Sequence, residues 1–289
     1  MNTRRTFIKT AAAGLAAAAL ATTSRPRAQA AAASPAAPAA PAPPVRLGLA
    51  SYTIRKFKID AAIAMVKRLG LTRMVLKDAH LPLDASDAQI SEVIGKIKAA
   101  GITPYGCGTI YMKTPAEVER AFAYARTAGF EMIIGAPGAE LLPLCETQVK
   151  ATNIILAIHN HGPDNPLYPS PLDAYELIKK MDPRMGLCMD IGHTQRLGQD
   201  PIDVLKTTFA RVFDLHVKDV SASSKAGKTV EMGRGVIDLA GFYKTMLALG
   251  YAGTLDFEHE KDSDDPLAGV AESVGYTRGA LTALGATWR

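Results

Sequence analysis

The sequence predicts one α/β domain folded as an eight-stranded (β/α)8 barrel, the TIM-barrel architecture. Three observations carry this prediction. Short apolar runs of strand type alternate eight times with segments of helical spacing over about 245 of the 289 residues. Polar residues follow these runs, and all six histidines lie at or just beyond the end of a run. The first run leads into Ala50-Ser51-Tyr52, where a doubly wound open sheet, the main alternative, would place a glycine-rich phosphate-binding turn.

The first half of the barrel contains four strand–helix units. Thr114 and Glu117 form the capping-box pattern of a helix start, and Gly70 and Gly129 stand where helices end. Pro104 interrupts the third strand, so its strand pattern is weaker than that of the others. The predicted strands are Val45–Ser51, Arg73–Lys77, Ile102–Cys107 and Glu131–Ala136, and the predicted helices are Asp60–Gly70, Ser86–Gly101, Thr114–Gly129 and Leu141–Asn153.

The second half contains four further units, and side chains along its strands alternate between apolar and polar. In the seventh strand, Phe213, Leu215 and Val217 are expected to face the surrounding helices. The polar residues between them, up to His216 and Lys218, are then expected to face the barrel interior. The predicted strands are Ile154–His159, Met185–Asp190, Val212–Lys218 and Thr254–Glu258, and the predicted helices start at Ser170 or cover Pro201–Phe209, Leu239–Leu249 and Pro266–Leu284.

Residues 1–44 are predicted to lie outside the barrel. Arg4 and Arg5 precede an alanine-rich apolar stretch, and Ala28-Gln29-Ala30 offers a small-residue cleavage site. This arrangement resembles a twin-arginine signal peptide, which implies export through the twin-arginine machinery to the periplasm. A membrane anchor is the alternative, but the 11 residues of the stretch are fewer than the about 20 of a spanning helix. We divide the chain into a signal peptide at 1–30, an Ala/Pro-rich linker at 31–44 and a barrel at 45–289.

Charge and cysteine content narrow the class of protein. Residues 1–44 hold five of the 33 basic residues and no acidic residue, which leaves 28 basic and 28 acidic residues in the predicted domain. This neutral charge argues against a nucleic-acid-binding protein, which needs a basic face to displace counterions. The three cysteines, Cys107, Cys145 and Cys188, are too few for a disulfide framework. Cys107 and Cys188 fall in predicted strands and are expected to be buried small hydrophobes. Nothing in the sequence specifies an oligomeric state.

The polar ends of strands five to eight supply a candidate metal site. The inward-facing residues near these ends are His159, Asp190, His216 and Glu258. Catalytic groups of such barrels lie at the carboxyl ends of strands, and neighbouring strands are about 4.8 Å apart, so the four side chains can converge on one ion. Two imidazoles and two carboxylates suit Mn²⁺, Zn²⁺, Co²⁺ or Fe²⁺ better than Ca²⁺. Taken singly, each residue could instead be an ordinary polar side chain at a loop edge.

Five motifs make the predicted domain resemble the xylose isomerase-like barrel superfamily, specifically its sugar phosphate isomerase/epimerase group. They are Ala157-Ile158-His159-Asn160-His161, Met189-Asp190-Ile191-Gly192-His193-Thr194, Asp214-Leu215-His216-Val217-Lys218-Asp219, Gly233-Arg234-Gly235-Val236-Ile237-Asp238 and Leu255-Asp256-Phe257-Glu258. The resemblance implies a divalent metal held by strands five to eight, where Asp190, His216 and Glu258 match the family pattern. It also implies that the substrate contacts His193 and an arginine after strand seven, here Arg234.

The fifth strand departs from the family pattern, because His159 stands where the family usually has glutamate. By resemblance, the family's isomerases and epimerases use two metal-bound glutamates as acid and base on opposite faces of an enediolate. Glu258 matches one of them, and the inward-facing candidates for the other role are His161 and Lys218. His159 is a candidate metal ligand. An imidazole nitrogen bound to metal cannot easily accept a proton as well, so His159 does not simply replace the missing glutamate as acid or base.

Five further residues receive weaker assignments. Lys77 ends the second strand and His80 follows it, and both are candidates to contact the substrate. Glu260 and Lys261 are expected to form a surface ion pair. Tyr111, after the third strand, offers a surface on which a sugar could stack.

The sequence favours an enzyme that isomerises or epimerises a keto-sugar or sugar derivative through a metal-stabilised enediolate. A lyase or dehydratase is close behind, because β-elimination from a keto-sugar or 3-keto-glycoside needs one base on carbon and a separate acid on the leaving oxygen. A DNA-repair endonuclease of the same superfamily would need several zinc ions and a basic groove, which the neutral domain lacks. A non-catalytic periplasmic sugar-binding protein is the remaining alternative.

Overall fold

The computed structural model describes residues 43–289, so the predicted signal peptide and most of the predicted linker lie outside the described residues. Eight parallel strands form a closed barrel with helices between them, which confirms the predicted single α/β domain. The strands follow one another around the barrel in chain order, and β8 pairs with β1 to close it. They are β1 (Arg46–Ala50), β2 (Arg73–Leu76), β3 (Thr103–Met112), β4 (Met132–Pro137), β5 (Ile155–His159), β6 (Met185–Asp190), β7 (Val212–Val217) and β8 (Thr254–Phe257).

Nine α-helices occur in the described part of the chain. They are α1 (Ile59–Arg68), α2 (Asp87–Ala99), α3 (Pro115–Ala128), α4 (Leu142–Thr152), α5 (Pro171–Ile178), α6 (Ile191–Arg196), α7 (Pro201–Thr208), α8 (Leu239–Ala248) and α9 (Leu267–Ala283). Capping boxes start α3 at Thr114 and α5 at Ser170, as their sequences predict. The short helix α6 was not predicted; it begins directly at the end of β6. A two-residue antiparallel hairpin, Asp219–Val220 with Thr229–Val230, follows β7.

The two faces of the strands are sorted largely as the alternation predicts. Leu156, Leu215 and Leu255 belong to the large buried cluster that also contains helix residues. A smaller cluster belongs to the inward-facing positions and consists of Val75, Tyr105, Met132, Ile134, Ala157 and Cys188. Phe213 is an exception, because it packs on this smaller cluster. The pairing of β6 with β7 skips Phe213, and this irregularity turns its ring away from the helices.

The third strand is longer than predicted, since it has ten residues and continues past the expected end at Cys107. Its register with β4 shifts between Cys107 and Ile110. Gly108 adopts a φ of 140°, and a Cβ there would lie 2.1 Å from the Ile134 carbonyl oxygen. Only glycine fits this close approach, which lets the strand continue to Met112.

Two further observations concern the cysteines and the apolar character of the helices. Cys107 and Cys188 are free and buried, as predicted, and Cys145 is free and buried as well. Within residues 43–289, no helix combines the length and the apolar character needed to cross a bilayer.

Candidate functional site

Four buried side chains converge where β5 to β8 end: His159, Asp190, His216 and Glu258. Each offers a donor atom within 4.8 Å of the donor atoms of the others. Nε2 of His159 lies 3.0 Å from Nδ1 of His216 and 3.7 Å from Oδ2 of Asp190. Oε2 of Glu258 lies 3.9 Å from Nε2 of His159 and 3.4 Å from Nδ1 of His216. The structure therefore brings together all four residues that the strand alternation selects.

The separations of these donor atoms fit one divalent ion. Four ligands about 2.1 Å from an ion at tetrahedral angles stand about 3.4 Å apart. Four of the six separations are 3.0 to 3.9 Å and bracket that value, and the other two are within 4.8 Å. Burial and the neighbouring His216 ring lower the pKa of His159 well below its usual range, which keeps a lone pair available for a metal. Nitrogen and oxygen donors in this arrangement could hold Mn²⁺, Zn²⁺, Co²⁺ or Fe²⁺.

Asp190 is fixed by backbone hydrogen bonds at the end of β6. Its Oδ1 accepts a hydrogen bond of 2.7 Å from the His193 backbone N–H and so caps α6. The Asp190 backbone N–H donates to Oδ1 of Asn160 at 2.8 Å. Nδ2 of Asn160 donates back to the Asp190 carbonyl oxygen at 3.2 Å. The His193 contact occupies Oδ1, the Asn160 contacts hold the Asp190 backbone, and Oδ2 of Asp190 faces the cluster.

His216 is positioned between the cluster and a buried carboxyl group. Its Nδ1 faces the cluster, while its Nε2 lies 3.7 Å from Oδ2 of Asp214. Tyr105 donates a hydrogen bond of 2.9 Å to Oδ1 of Asp214. Burial raises the pKa of Asp214 to about 6. A carboxyl group hydrogen-bonded to a ligating imidazole orients the ring. Asp214 lies on that side of His216, but at 3.7 Å it makes no hydrogen bond to the ring in this structure.

A buried lysine lies among the carboxylates. Nζ of Lys218 is 2.7 Å from Oε2 of Glu258 and 2.8 Å from Oδ2 of Asp190. It also lies 2.9 Å from Oε1 of Glu260. Burial opposes the charge on Lys218, but the carboxylates outweigh burial and raise its pKa well above the usual range. Lys218 and His216 likewise outweigh burial at Glu258 and hold its pKa well below the usual range.

A cavity of about 180 Å³ adjoins the cluster. This volume lies below the about 300–1,000 Å³ of sites for drug-sized ligands, so the cavity suits a small ligand. Burial and the nearby Lys218 ammonium lower the pKa of His193, one of the lining residues, to about 3, so its ring is neutral near pH 7. The lining residues are Tyr52, Lys77, Thr109, Tyr111, His159, His161, His193, Glu258 and Glu260.

His161 and Tyr111 form a hydrogen-bonded pair on the cavity wall. Oη of Tyr111 lies 2.8 Å from Nε2 of His161. The backbone N–H of Leu167 donates to Oδ1 of Asn165, which directs the Asn165 amide nitrogen to Oη of Tyr111 at 3.2 Å. The Tyr111 hydroxyl is therefore left to donate to His161. Burial lowers the pKa of His161, so its ring is neutral near pH 7.

The structure does not bring Arg234 to the cavity. Its guanidinium pairs with Glu272, and its side chain is 62% exposed. The cause lies in the preceding loop, where the buried Asp219 carboxylate accepts the backbone N–H groups of Gly233 and Gly235 at 3.0 and 2.9 Å. These two hydrogen bonds account for the glycines of the motif, and they direct the Arg234 side chain away from the cavity.

The structure also locates four other residues that the sequence analysis assigned. His80 is buried, with Nδ1 3.0 Å from Oγ of Ser51, and lines a separate cleft. The predicted ion pair between Glu260 and Lys261 is wrong, because Glu260 turns inward to Lys218 while Lys261 bonds Glu231 at 2.6 Å. Lys77 does line the cavity and donates to the Thr109 carbonyl oxygen at 2.8 Å. Sequence reasoning missed Glu260 as a site residue, although its inward alternation two residues after Glu258 was a usable signal.

Solved structures show the same fold. L-ribulose 3-epimerase is 16% identical, with a TM-score of 0.67, and the match covers 83% of this chain and 95% of that one. A xylose isomerase domain protein from Planctomyces limnophilus is 16% identical, with a TM-score of 0.66 and coverage of 84% and 99%. A sugar phosphate isomerase/epimerase from Parabacteroides distasonis is 19% identical, with a TM-score of 0.61 and coverage of 80% and 97%. At such identities the likeness establishes the fold alone.

Family comparison identifies the chain more specifically. None of the curated proteins matches it. The family model described as xylose isomerase-like TIM barrel matches residues 53–280, which span β2 to β8 and nearly all of the helices. The chain therefore belongs to the xylose isomerase-like TIM barrel family.

Proposed function

We propose that the protein is a divalent-metal-dependent isomerase or epimerase of a keto-sugar or sugar derivative. The observation that carries the proposal is the convergence of four potential metal ligands beside a small cavity: His159, Asp190, His216 and Glu258. The fold shared with L-ribulose 3-epimerase and a sugar phosphate isomerase/epimerase supports it. The cavity of about 180 Å³ favours a substrate close to the size of one sugar ring.

The reaction requires removal and return of a proton at carbon. A divalent ion, when bound, would polarise the substrate carbonyl and acidify the neighbouring C–H group. Glu258 lines the cavity and is held as a carboxylate by Lys218, so it is our candidate for the base. His161 is neutral and hydrogen-bonded to Tyr111, and this pair is our candidate for returning the proton, with the Tyr111 hydroxyl replacing the proton that the His161 ring gives up.

Other residues would bind and orient the substrate. The Lys77 ammonium uses one N–H for the Thr109 carbonyl oxygen and keeps further donors for sugar hydroxyls. His193 lines the same cavity as a neutral ring, which can donate or accept one hydrogen bond. Lys218 contacts three carboxylates and is assigned to holding Glu258 charged and in place.

Deuterium exchange tests this function. Metal-loaded protein is incubated in D₂O with a panel of keto-sugars and 3-keto-glycosides, and mass spectrometry records uptake at carbon. Glu258→Gln is expected to slow uptake by about 10²–10⁴-fold, since it removes the base. Arg234→Ala, which changes a surface ion pair, is the matched control and should exchange normally. Absence of exchange with every substrate, or normal exchange in Glu258→Gln, would overturn the proposal.

A lyase is the second candidate, and a specific observation favours it. Elimination needs an acid that protonates the leaving oxygen and is separate from the base on carbon. The Tyr111 hydroxyl and the His161 ring form a hydrogen-bonded pair that could supply this proton, separate from Glu258. His159 also replaces the glutamate expected of an epimerase. Release of an unsaturated ketone from a 3-keto-glycoside, followed by ultraviolet absorbance, would identify the lyase, whereas recovery of an isomeric sugar would identify the isomerase.

We further propose that the protein acts in the periplasm after export by the twin-arginine machinery. Arg4, Arg5 and the apolar stretch after them support this proposal. Cell fractionation of the Arg4→Lys/Arg5→Lys variant tests it, with retention in the cytoplasm as the expected outcome. Unchanged periplasmic recovery of this variant would exclude the twin-arginine route.

A further inference from the structure

Lys218 lies where two potential metal sites meet, and its role there rests on the proposed metal site. One site is the cluster of His159, Asp190, His216 and Glu258. A second group of potential ligands consists of His193, Glu258 and Glu260, so the two groups share Glu258. Two ion sites joined by a carboxylate are the arrangement of a two-ion centre.

The second group already contains a cation of the protein itself. Nζ of Lys218 lies 2.7 Å from Oε2 of Glu258 and 2.9 Å from Oε1 of Glu260. The Lys218 side chain is only 1% exposed, so this ammonium belongs to the interior of the centre. We propose that Lys218 fills the second cation position, so that the protein binds one divalent ion where the same side chains without the lysine would bind two.

Charge balance favours this assignment. Asp190, Glu258 and Glu260 surround the Lys218 ammonium and together bring three negative charges. One divalent ion and one ammonium supply three positive charges, which matches them. A second divalent ion beside the ammonium would leave an excess of positive charge in a buried site, where uncompensated charge is costly. Replacing the lysine by a neutral residue halves this excess, from two positive charges to one.

The fold also reserves space for the lysine. The stem of Lys218 passes over Gly192, where a Cβ would lie 2.3 Å from Cγ of the lysine. Nε2 of His193 stands 3.9 Å from Oε1 of Glu260, so these two ligands are already close without any ion between them. Without the ammonium, the side chains of His193, Glu258 and Glu260 would therefore already be close enough together to bind an ion.

Metal stoichiometry tests the inference. Each protein is equilibrated with excess Mn²⁺, and bound metal is measured by elemental analysis and by titration calorimetry. We expect one equivalent in the wild type and two in Lys218→Met. Lys77→Met is the control, because Lys77 lines the same cavity and contacts none of the three carboxylates, and it should bind one equivalent. Adding Glu260→Gln to Lys218→Met should return the count to one.

The difference between variant and wild type decides the inference. Lys218→Gln, which keeps a neutral hydrogen-bond donor beside the carboxylates, provides a second variant and should show the same gain. No gain in either variant would overturn the inference, as would a gain that survives Glu260→Gln. The wild-type value alone tests the proposed metal site: zero equivalents would refute that site, while an added equivalent in Lys218→Met would still support the role of Lys218.

Discussion

Gly192 gives the Lys218 side chain room to reach the carboxylates, and alanine at this position tests that arrangement. A Cβ would lie 2.3 Å from Cγ and 2.8 Å from Cδ of Lys218, and 3.3 Å from Cγ1 of Val220. In an open helix position, glycine to alanine gains about 0.5–1 kcal/mol. Overpacking a buried site costs about 1–3 kcal/mol. The clash exceeds the gain, so Gly192→Ala is expected to lose about 1–2 kcal/mol of unfolding free energy.

A matched glycine makes the comparison sharp. Gly275 lies in α9, is exposed, and has no atom within 4 Å of a built Cβ. Gly275→Ala should raise the free energy of unfolding. The melting temperatures of both variants are measured in EDTA, where each kcal/mol is expected to shift the melting temperature by about 2–4 °C. Lys218→Ala removes Cγ and Cδ, so the penalty of Gly192→Ala should shrink in that background. Equal effects at the two glycines, or a penalty unchanged by Lys218→Ala, would show that Gly192 does not reserve space for the lysine.

Three further variants give independent tests. Arg234→Ala should leave turnover within about twofold, because Arg234 pairs with Glu272 and does not line the cavity; a large loss would place Arg234 in the site. Asn160→Ala removes the hydrogen bonds that fix Asp190 and should weaken Mn²⁺ binding about 10–100-fold by calorimetry. The pKa of His193 is about 3 in the folded protein, below its ordinary value of 6.5, so the unfolded chain takes up a proton first as pH falls. Metal-free protein should lose stability from pH 6.5 downwards, and His193→Asn should lose less in denaturant titrations.

The barrel could be predicted because its signals are local. Capping residues such as Thr114 and Ser170 mark helix starts, and the two-residue alternation separates inward from outward side chains. The prediction failed where the backbone is irregular, as at Gly108 and Phe213. Periodicity carries no information about such irregularities, since they depend on contacts with the neighbouring strand.

In the candidate site, too, the residues at strand ends could be predicted and those in loops could not. His159, Asp190 and His216 lie at the ends of strands, where alternation and the strand end fix a side chain's place. Glu260 and Arg234 lie in loops after the strands, and their directions are set by partners distant in sequence. The Arg234 loop is held by hydrogen bonds to the Asp219 carboxylate, and Glu260 is held by the Lys218 ammonium. Sequence spacing alone identifies neither partner.

Anomalous diffraction from crystals grown with Mn²⁺ is the sharpest test of the metal centre, because it locates the ion without any assumption about the reaction. We expect one peak in the wild type, about 2.0–2.3 Å from Nε2 of His159 and Nδ1 of His216 and bound by carboxylate oxygens of Asp190 and Glu258. Asp190→Asn should weaken this peak. An absent peak, or one located away from these four residues, would contradict the metal centre and with it the proposed function.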